Sequence, residues 1–421
     1  MEFFTRGQTT PSGMASRSRL GHHRGGKAIV FLVASLLMIS GTEIVARGLW
    51  NWQYNRFLER QLSGFDRVDR KDSVVLLVPG TAWSLSDVIE NLKEHNKILG
   101  AKEVETVQQK YGIKLDDIVL RINSFGFLGP EIQKEKRSGT LRVMTIGDSV
   151  TFGSYVEASS YPRVMERELN HASAGEFPKF EVVNAGVRGY NLQNVIKRID
   201  YFLDFKPDVI TILIGWNHTL LRADPRKNED LYRNLALYRI FYHAVINRSL
   251  SVTIPASPEN FYDKNDLLVA RLRDTTFSAD MQDWEVLIER IRQRLPKTRI
   301  VVITLAGLFM EGIDPDAHAM TMAFSVAFSH NLYSWAVLTS QYNRKLVEFA
   351  NAHDLDLIDL AEWSRNALYP RSDFFIDSVH MTDAGYDLVG KFLASEIIKI
   401  KPWLTDESSV KRLSQRQESP P

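Results

Sequence analysis

Serine, histidine and aspartate occur in this chain where a polypeptide can assemble an acyl-transfer site. Gly147-Asp148-Ser149 follows the apolar run 142–146, and Asp377 and His380 stand three residues apart in Asp377-Ser378-Val379-His380. A serine hydroxyl is a weak nucleophile at neutral pH; it needs a base within hydrogen-bond reach, itself held in one tautomer by a carboxylate. An aspartate and a histidine three apart on one loop can serve the same serine. A serine that opens a helix also faces unpaired N–H groups and the positive end of the helix dipole, both favourable to an oxyanion. Asn184-Ala185-Gly186 and Gly215-Trp216-Asn217 add further groups useful to acyl transfer. Each residue has an ordinary reading too: Ser149 as a helix N-cap, Gly186 as a turn glycine, Asn217 as a strand-end cap, Asp377 with His380 as a surface pair. Metal binding by Asp377, His380 and His218 is a rival, disfavoured because no third ligand with supporting partners is evident. Neither a metal nor a cofactor is expected.

The elements that must position these residues alternate regularly. Strand patterns fall at 142–146, 180–184, 208–214, 299–304 and 355–359, and helical periodicity fills 161–171, 191–202, 279–294, 333–352 and 382–400. This predicts an α/β fold of three layers, α/β/α, around a five-stranded, mostly parallel, doubly wound sheet. Open sheets of this kind bind ligands at the carboxyl ends of their strands, which is where the four stretches fall. The connection 218–298 is too long for a simple crossover and should hold extra helices, including one over 229–247. The segment 307–334, rich in methionine and phenylalanine, reads either as an apolar lid for an acyl chain or as a helix packed in the core.

The four stretches, in this order and at these strand ends, resemble the blocks of the SGNH hydrolase family, also called GDSL esterases and lipases, here of a membrane-anchored bacterial type. The resemblance covers 142 to about 400 and implies a flavodoxin-like sheet. It makes Ser149 the nucleophile and, through its N–H, the first oxyanion donor. Gly186 becomes the second donor through its N–H, Asn217 the third through its side-chain amide, His380 the general base and Asp377 its orienting carboxylate. The third block departs from the family pattern, with His218 where a second acid is usual, so the supporting hydrogen bonds of Asn217 are in question. Thr382 is a suitable N-cap for the last helix.

Composition sets the context. The 421 residues are 44% hydrophobic and 24% charged with a net charge of +1, a globular balance that gives no reason to expect nucleic acid. Cysteine is absent, which excludes disulfides and thiolate catalysis. Residues 28–50 are apolar over about the twenty residues a bilayer requires, with Glu43 and Arg47 four apart on one face and Trp50 and Trp52 at headgroup level. Arg6, Arg17, Arg19, Arg24 and Lys27 precede this stretch against Glu2 alone, so 1–27 are expected in the cytoplasm and the catalytic domain on the extracytoplasmic, periplasmic side of the cytoplasmic membrane. The expected organisation is a basic N-terminus at 1–27, a single-pass anchor at 28–50, an accessory α+β segment at 51–140, a catalytic domain at 141–402 and a disordered tail at 403–421. Strands at 74–78 and 118–123 and helices at 86–99 and up to Tyr111 are expected in the accessory segment. The function expected is a membrane-anchored serine esterase cleaving O-acyl, above all O-acetyl, esters of envelope or exported polysaccharide through an acyl-enzyme. An O-acyltransferase with the same residues, a hydrolase of lipid esters or thioesters, and a non-catalytic glycan-binding module are the alternatives. The partners expected are thus an acylated carbohydrate or lipid and the membrane.

Overall fold

The computed structural model describes residues 22–400 except 61, 63, 95–107, 111, 155, 174–178, 218–223, 225, 226, 247–252 and 255–258. Helix α1 (His22–Glu59) opens the described chain as one 38-residue rod. Its segment Val33–Glu59 is long and apolar enough to cross a membrane, and only 11% of its most apolar window is buried. Two small hairpin-like pairs follow: Asp66–Asp69 against Val74–Leu77, and Ala82–Ser84 against Ile118–Arg121, both antiparallel. The sequence pattern marked the second strand of each pair. Their partners, Asp66–Asp69 and Ala82–Ser84, are too short and polar to carry a period-two signal. The expected charged helix up to Tyr111 falls largely outside the described residues, as do His218 and the tail.

The central sheet contains the five expected strands: β1 (Thr140–Gly147), β2 (Lys179–Gly186), β3 (Val209–Leu213), β4 (Arg299–Ile303) and β5 (Asp356–Ile358). They lie in the order β5-β4-β3-β1-β2, all parallel. Such strands are buried on both faces, which explains why β1 and β3 are continuous apolar runs and not alternating ones. The chain winds one way from β1 to β2 and the other from β3 onward, so the order reverses between β1 and β3. That point is where a doubly wound sheet opens a crevice.

Helices flank the sheet. Short α2 (Ser149–Phe152) leaves β1 directly, and α3 (Tyr161–Ala172) and α4 (Leu192–Leu203) follow on either side of β2 in the chain. Asn191 caps α4 in a reciprocal box with Asn194, each side-chain oxygen taking the other's backbone N–H at 3.0 Å. Between β3 and β4 stand α5 (Glu229–Asn234), α6 (Ala236–Phe241) and α7 (Ser278–Arg294), and α8 (Tyr333–Ala352) and α9 (Asp383–Ile400) complete the layers. Helix α9 packs on α3, and α7 on α4 and α8.

One helical expectation is corrected. The run 229–247 is not one helix: Leu235 adopts an extended conformation and splits it into α5 and α6. The carboxylate of Glu43, on α1, accepts the freed N–H groups of Ala236 at 2.8 Å and Leu237 at 3.2 Å, while Arg47 donates to the carbonyl of Asn234 at 3.1 Å. Glu43 and Arg47 also pair with each other at 2.9 Å.

Candidate active site

Ser149 is the first residue of α2, at the carboxyl end of β1. Asp148 caps that helix, its carboxylate accepting the N–H of Val150 at 3.0 Å. This cap bends the chain sharply, so that the serine side chain stands clear of β1 beside the loop that leads into α9. In that loop Asp377 and His380 form a closed unit. The Asp377 Oδ1 accepts the N–H of Val379 at 2.9 Å and of His380 at 2.8 Å, and its Oδ2 accepts Nδ1–H of His380 at 2.7 Å. A carboxylate can only accept, so this bond places the imidazole proton on Nδ1 and leaves Nε2 as an acceptor. Ser149 Oγ lies 2.8 Å from that Nε2. The structure therefore brings together Ser149, His380 and Asp377 from positions 231 residues apart.

Electrostatics follow from burial and these bonds. Burial alone would lower the His380 pKa, but the charge and hydrogen bond of Asp377, with the charge of Asp148 behind them, outweigh it and hold His380 above its ordinary value. Burial likewise would raise Asp377, and here the His380 charge and the three hydrogen bonds prevail, keeping it below the usual carboxylate range. Asp148 is fully buried, and that burial pushes its carboxyl up to about 6 despite the Val150 N–H and nearby His380.

The loop carrying His380 is held from several sides. Ser378 Oγ donates to the carbonyl of Phe324 at 2.5 Å and accepts the N–H of Phe324 at 3.1 Å, and the carbonyl of Ser378 accepts the N–H of Leu308 at 3.0 Å. Thr382 Oγ1 accepts the N–H of Gly385 at 3.2 Å, as the cap expected for the last helix. The segment 307–334 thus supports the loop. Leu308, Phe309, Met322, Ala323 and Val326 are buried, so much of the segment packs in the core, but not as the helix expected: only Ala317–Met322 is helical before α8 begins at Tyr333. The guanidinium of Arg371, itself buried, donates to the carbonyls of Gly307, Leu308 and Ser364.

Two of the remaining expectations fare differently. Asn217 follows β3, and its Nδ2 donates to the carbonyl of Tyr190 at 2.9 Å. An amide nitrogen has two hydrogens, so one is fixed and the other is available to a ligand. Gly186, expected as the second oxyanion donor, is corrected. Its N–H is committed to Asn184 Oδ1 at 2.9 Å, the residue is buried, and a Cβ there would stand 2.2 Å from the N of Phe152. It is a close-packing glycine between β2 and α2. Three residues on, Gly189 is exposed, with φ +76° and open space where a Cβ would be. It is the third residue of a turn closed by Tyr190 N–H on the carbonyl of Val187 at 3.2 Å, and Tyr190 is the residue that holds Asn217. The signal for Gly189 was present in the sequence: a second glycine in Gly186-Val187-Arg188-Gly189, just past the strand. Among the described residues no group of three or more His, Asp or Glu could hold a metal.

The GDSL-like lipase/acylhydrolase family model matches residues 145–388, more than half of the chain. No curated protein matches it. Among solved structures it is similar to a GDSL-like lipase from Parabacteroides merdae, at 16% identity over 61% of this chain and 95% of that one, with a TM-score of 0.38. It is also similar to the lipase/acylhydrolase from Enterococcus faecalis (19%, 61% and 95%, 0.35) and to an acetyl-xylooligosaccharide esterase from Geobacillus Stearmophilus (18%, 61% and 94%, 0.36).

Proposed function

Because the chain belongs to the GDSL-like lipase/acylhydrolase family, and so to the serine hydrolases of ester bonds, we propose that Ser149, His380 and Asp377 are its catalytic triad. The observation that carries this reading is the unbroken relay from Ser149 Oγ through His380 to Asp377, at 2.8 and 2.7 Å. Ser149 Oγ attacks the ester carbonyl carbon as its proton passes to Nε2 of His380. The tetrahedral oxygen is held by the N–H groups of Ser149 and Gly189 and by the free amide hydrogen of Asn217. Collapse breaks the ester C–O bond, the imidazolium returns its proton to the leaving alcohol, and water resolves the acyl-enzyme by the same path in reverse. Donors fixed before the reaction need no reorganisation when charge develops, which is why each is worth about 3 kcal/mol.

The substrate class is an O-acetyl ester of envelope or exported polysaccharide. A short acyl group is favoured because the segment 307–334, the candidate cover for a long chain, is spent on the core and on Ser378. Location favours an extracytoplasmic polymer: α1 crosses the cytoplasmic membrane with the Arg- and Lys-rich residues 1–27 inside and the catalytic domain outside.

Labelling the full chain with a fluorophosphonate and mapping the adduct by peptide mass tests the mechanism. The adduct is expected on Ser149 and is lost in Ser149→Ala; an adduct elsewhere, or normal ester turnover by that variant, overturns it. Following an acetyl label separates hydrolysis, in which it ends in acetate, from transfer, in which it ends on a sugar hydroxyl.

A further inference from the structure

Helix α6 presents two stripes. Ala236 and Ile240 pack on Ala46 and Trp50 of α1. The neighbouring stripe, Leu237 and Phe241 continued by Val245, faces outward, with Leu237 44% and Phe241 51% exposed. Large apolar side chains standing together in water are unusual on a soluble surface. Ile44, Val45 and Leu49, on the α1 segment that α6 is fastened to, are exposed and apolar too, and that helix is apolar enough to span a membrane. The clasp explains why that helix carries two charges: Glu43 accepts the first N–H groups of α6, and Arg47 donates to the last carbonyl of α5. From Glu43 to Trp50 α1 rises about 10 Å, at 1.5 Å per residue. This is the depth over which an interfacial helix is immersed.

Beside this face lies a cleft of about 340 Å³ between α1, α4 and α5. Lys71, Lys197 and Arg239 line it with Trp50 against the carboxylate of Asp72, and Arg233, also in the lining, is paired with Asp283. Arg239 lies over the Trp50 ring at 5.4 Å, and its Nε is buried without a hydrogen-bond partner. Excess positive charge with an aromatic at the outer end of a membrane helix suits lipid phosphates.

We propose that this face is seated on the bilayer: the stripe of Leu237, Phe241 and Val245 lies at the boundary of headgroups and acyl chains, and phosphates of anionic phospholipids occupy the cleft. The proposal rests on the reading of α1 as a membrane span. It makes α1 a rigid mount, welded to the catalytic domain through the connection that begins at Asn217, and not a loose tether.

The chain has no cysteine, so single cysteines can be introduced for a fluorescent label. Leu237→Cys and Phe241→Cys, with Met38→Cys on α1 and Lys391→Cys on α9 as references, are reconstituted as full chains in phosphatidylglycerol vesicles doped with spin-labelled lipid. All four sites are exposed, and turnover of an activated acetyl ester checks that each variant is folded. Labels at 237, 241 and 38 are expected to be quenched severalfold and the label at 391 unchanged. Quenching at 38 but not at 237 and 241 overturns the proposal while α1 keeps its membrane reading; no quenching at 38 overturns both. Replacing phosphatidylglycerol by phosphatidylcholine should weaken quenching at 237 and 241 but not at 38. Equal quenching in both lipids overturns the assignment of the cleft to anionic headgroups.

Discussion

His380 can accept the proton of Ser149 only while Nε2 is unprotonated, and Asp377 and Asp148 both hold its proton on to higher pH. The rate constant kcat/KM should therefore rise with pH through a midpoint above the ordinary histidine value of about 6.5. A pH profile with an activated acetyl ester checks this, and a midpoint below 6 contradicts it. The variant Asp148→Asn removes one of the two charges that raise His380, so its midpoint should move to lower pH. Asp377→Asn should cost on the order of 10⁴ in kcat, because the imidazole loses the acceptor that fixes its tautomer. Asn217→Ala should cost about 10² to 10³ in kcat with the fold intact. The two glycines separate cleanly. Gly186→Ala forces a methyl group onto the backbone of Phe152 and should lower stability by about 1–3 kcal/mol or more. Gly189→Ala has room but is strained at φ +76°, and should slow turnover while losing about 1 kcal/mol of stability, less than Gly186→Ala loses. Ser149, Asp377 and His380 were legible because their chemistry is local in type and spacing. Both Gly186 and Gly189 stand in the sequence as candidates, but the choice between them is made by the side chain of Asn184, which takes the N–H of Gly186.

At the scale of elements, the loop 375–381 is positioned by contacts distant in sequence. Ser378→Ala removes both hydrogen bonds to Phe324 and leaves its part-buried N–H unpaired, while the carbonyl keeps the Nε1–H of Trp335, so kcat should fall several-fold and stability by about 1 kcal/mol, measured by steady-state kinetics and urea unfolding. The helices could be read from periodicity because each buries one face on the sheet, and the five strands from continuous apolar runs because the sheet is covered on both faces. The break at Leu235 could not. Glu43, almost two hundred residues earlier, accepts the N–H groups freed there, and no local signal in 229–247 announces such a partner. The same holds for Asp66–Asp69 and Ala82–Ser84, strands that exist because a partner strand lies beside them.

Across the whole molecule, residues 123–137 are fastened to the sheet by Arg142. It is fully buried, pairs with Glu181 on β2 at 2.5 Å, and donates to the carbonyls of Gln133, Lys134 and Phe205. Arg142→Met should cost about 3 kcal/mol or more, since it strands Glu181 and three carbonyls together, and thermal unfolding of the full chain reads the loss. Tyr190 makes a second link of another kind. Its hydroxyl donates to the carbonyl of Val75 in the first hairpin, and its carbonyl holds the amide of Asn217. That small hairpin, which supplies none of the proposed catalytic groups, is in effect a setscrew on the proposed oxyanion pocket. A proteolytic nick between residues 69 and 74 would spare every group that touches substrate and still detune the enzyme, with kcat falling and KM scarcely moving.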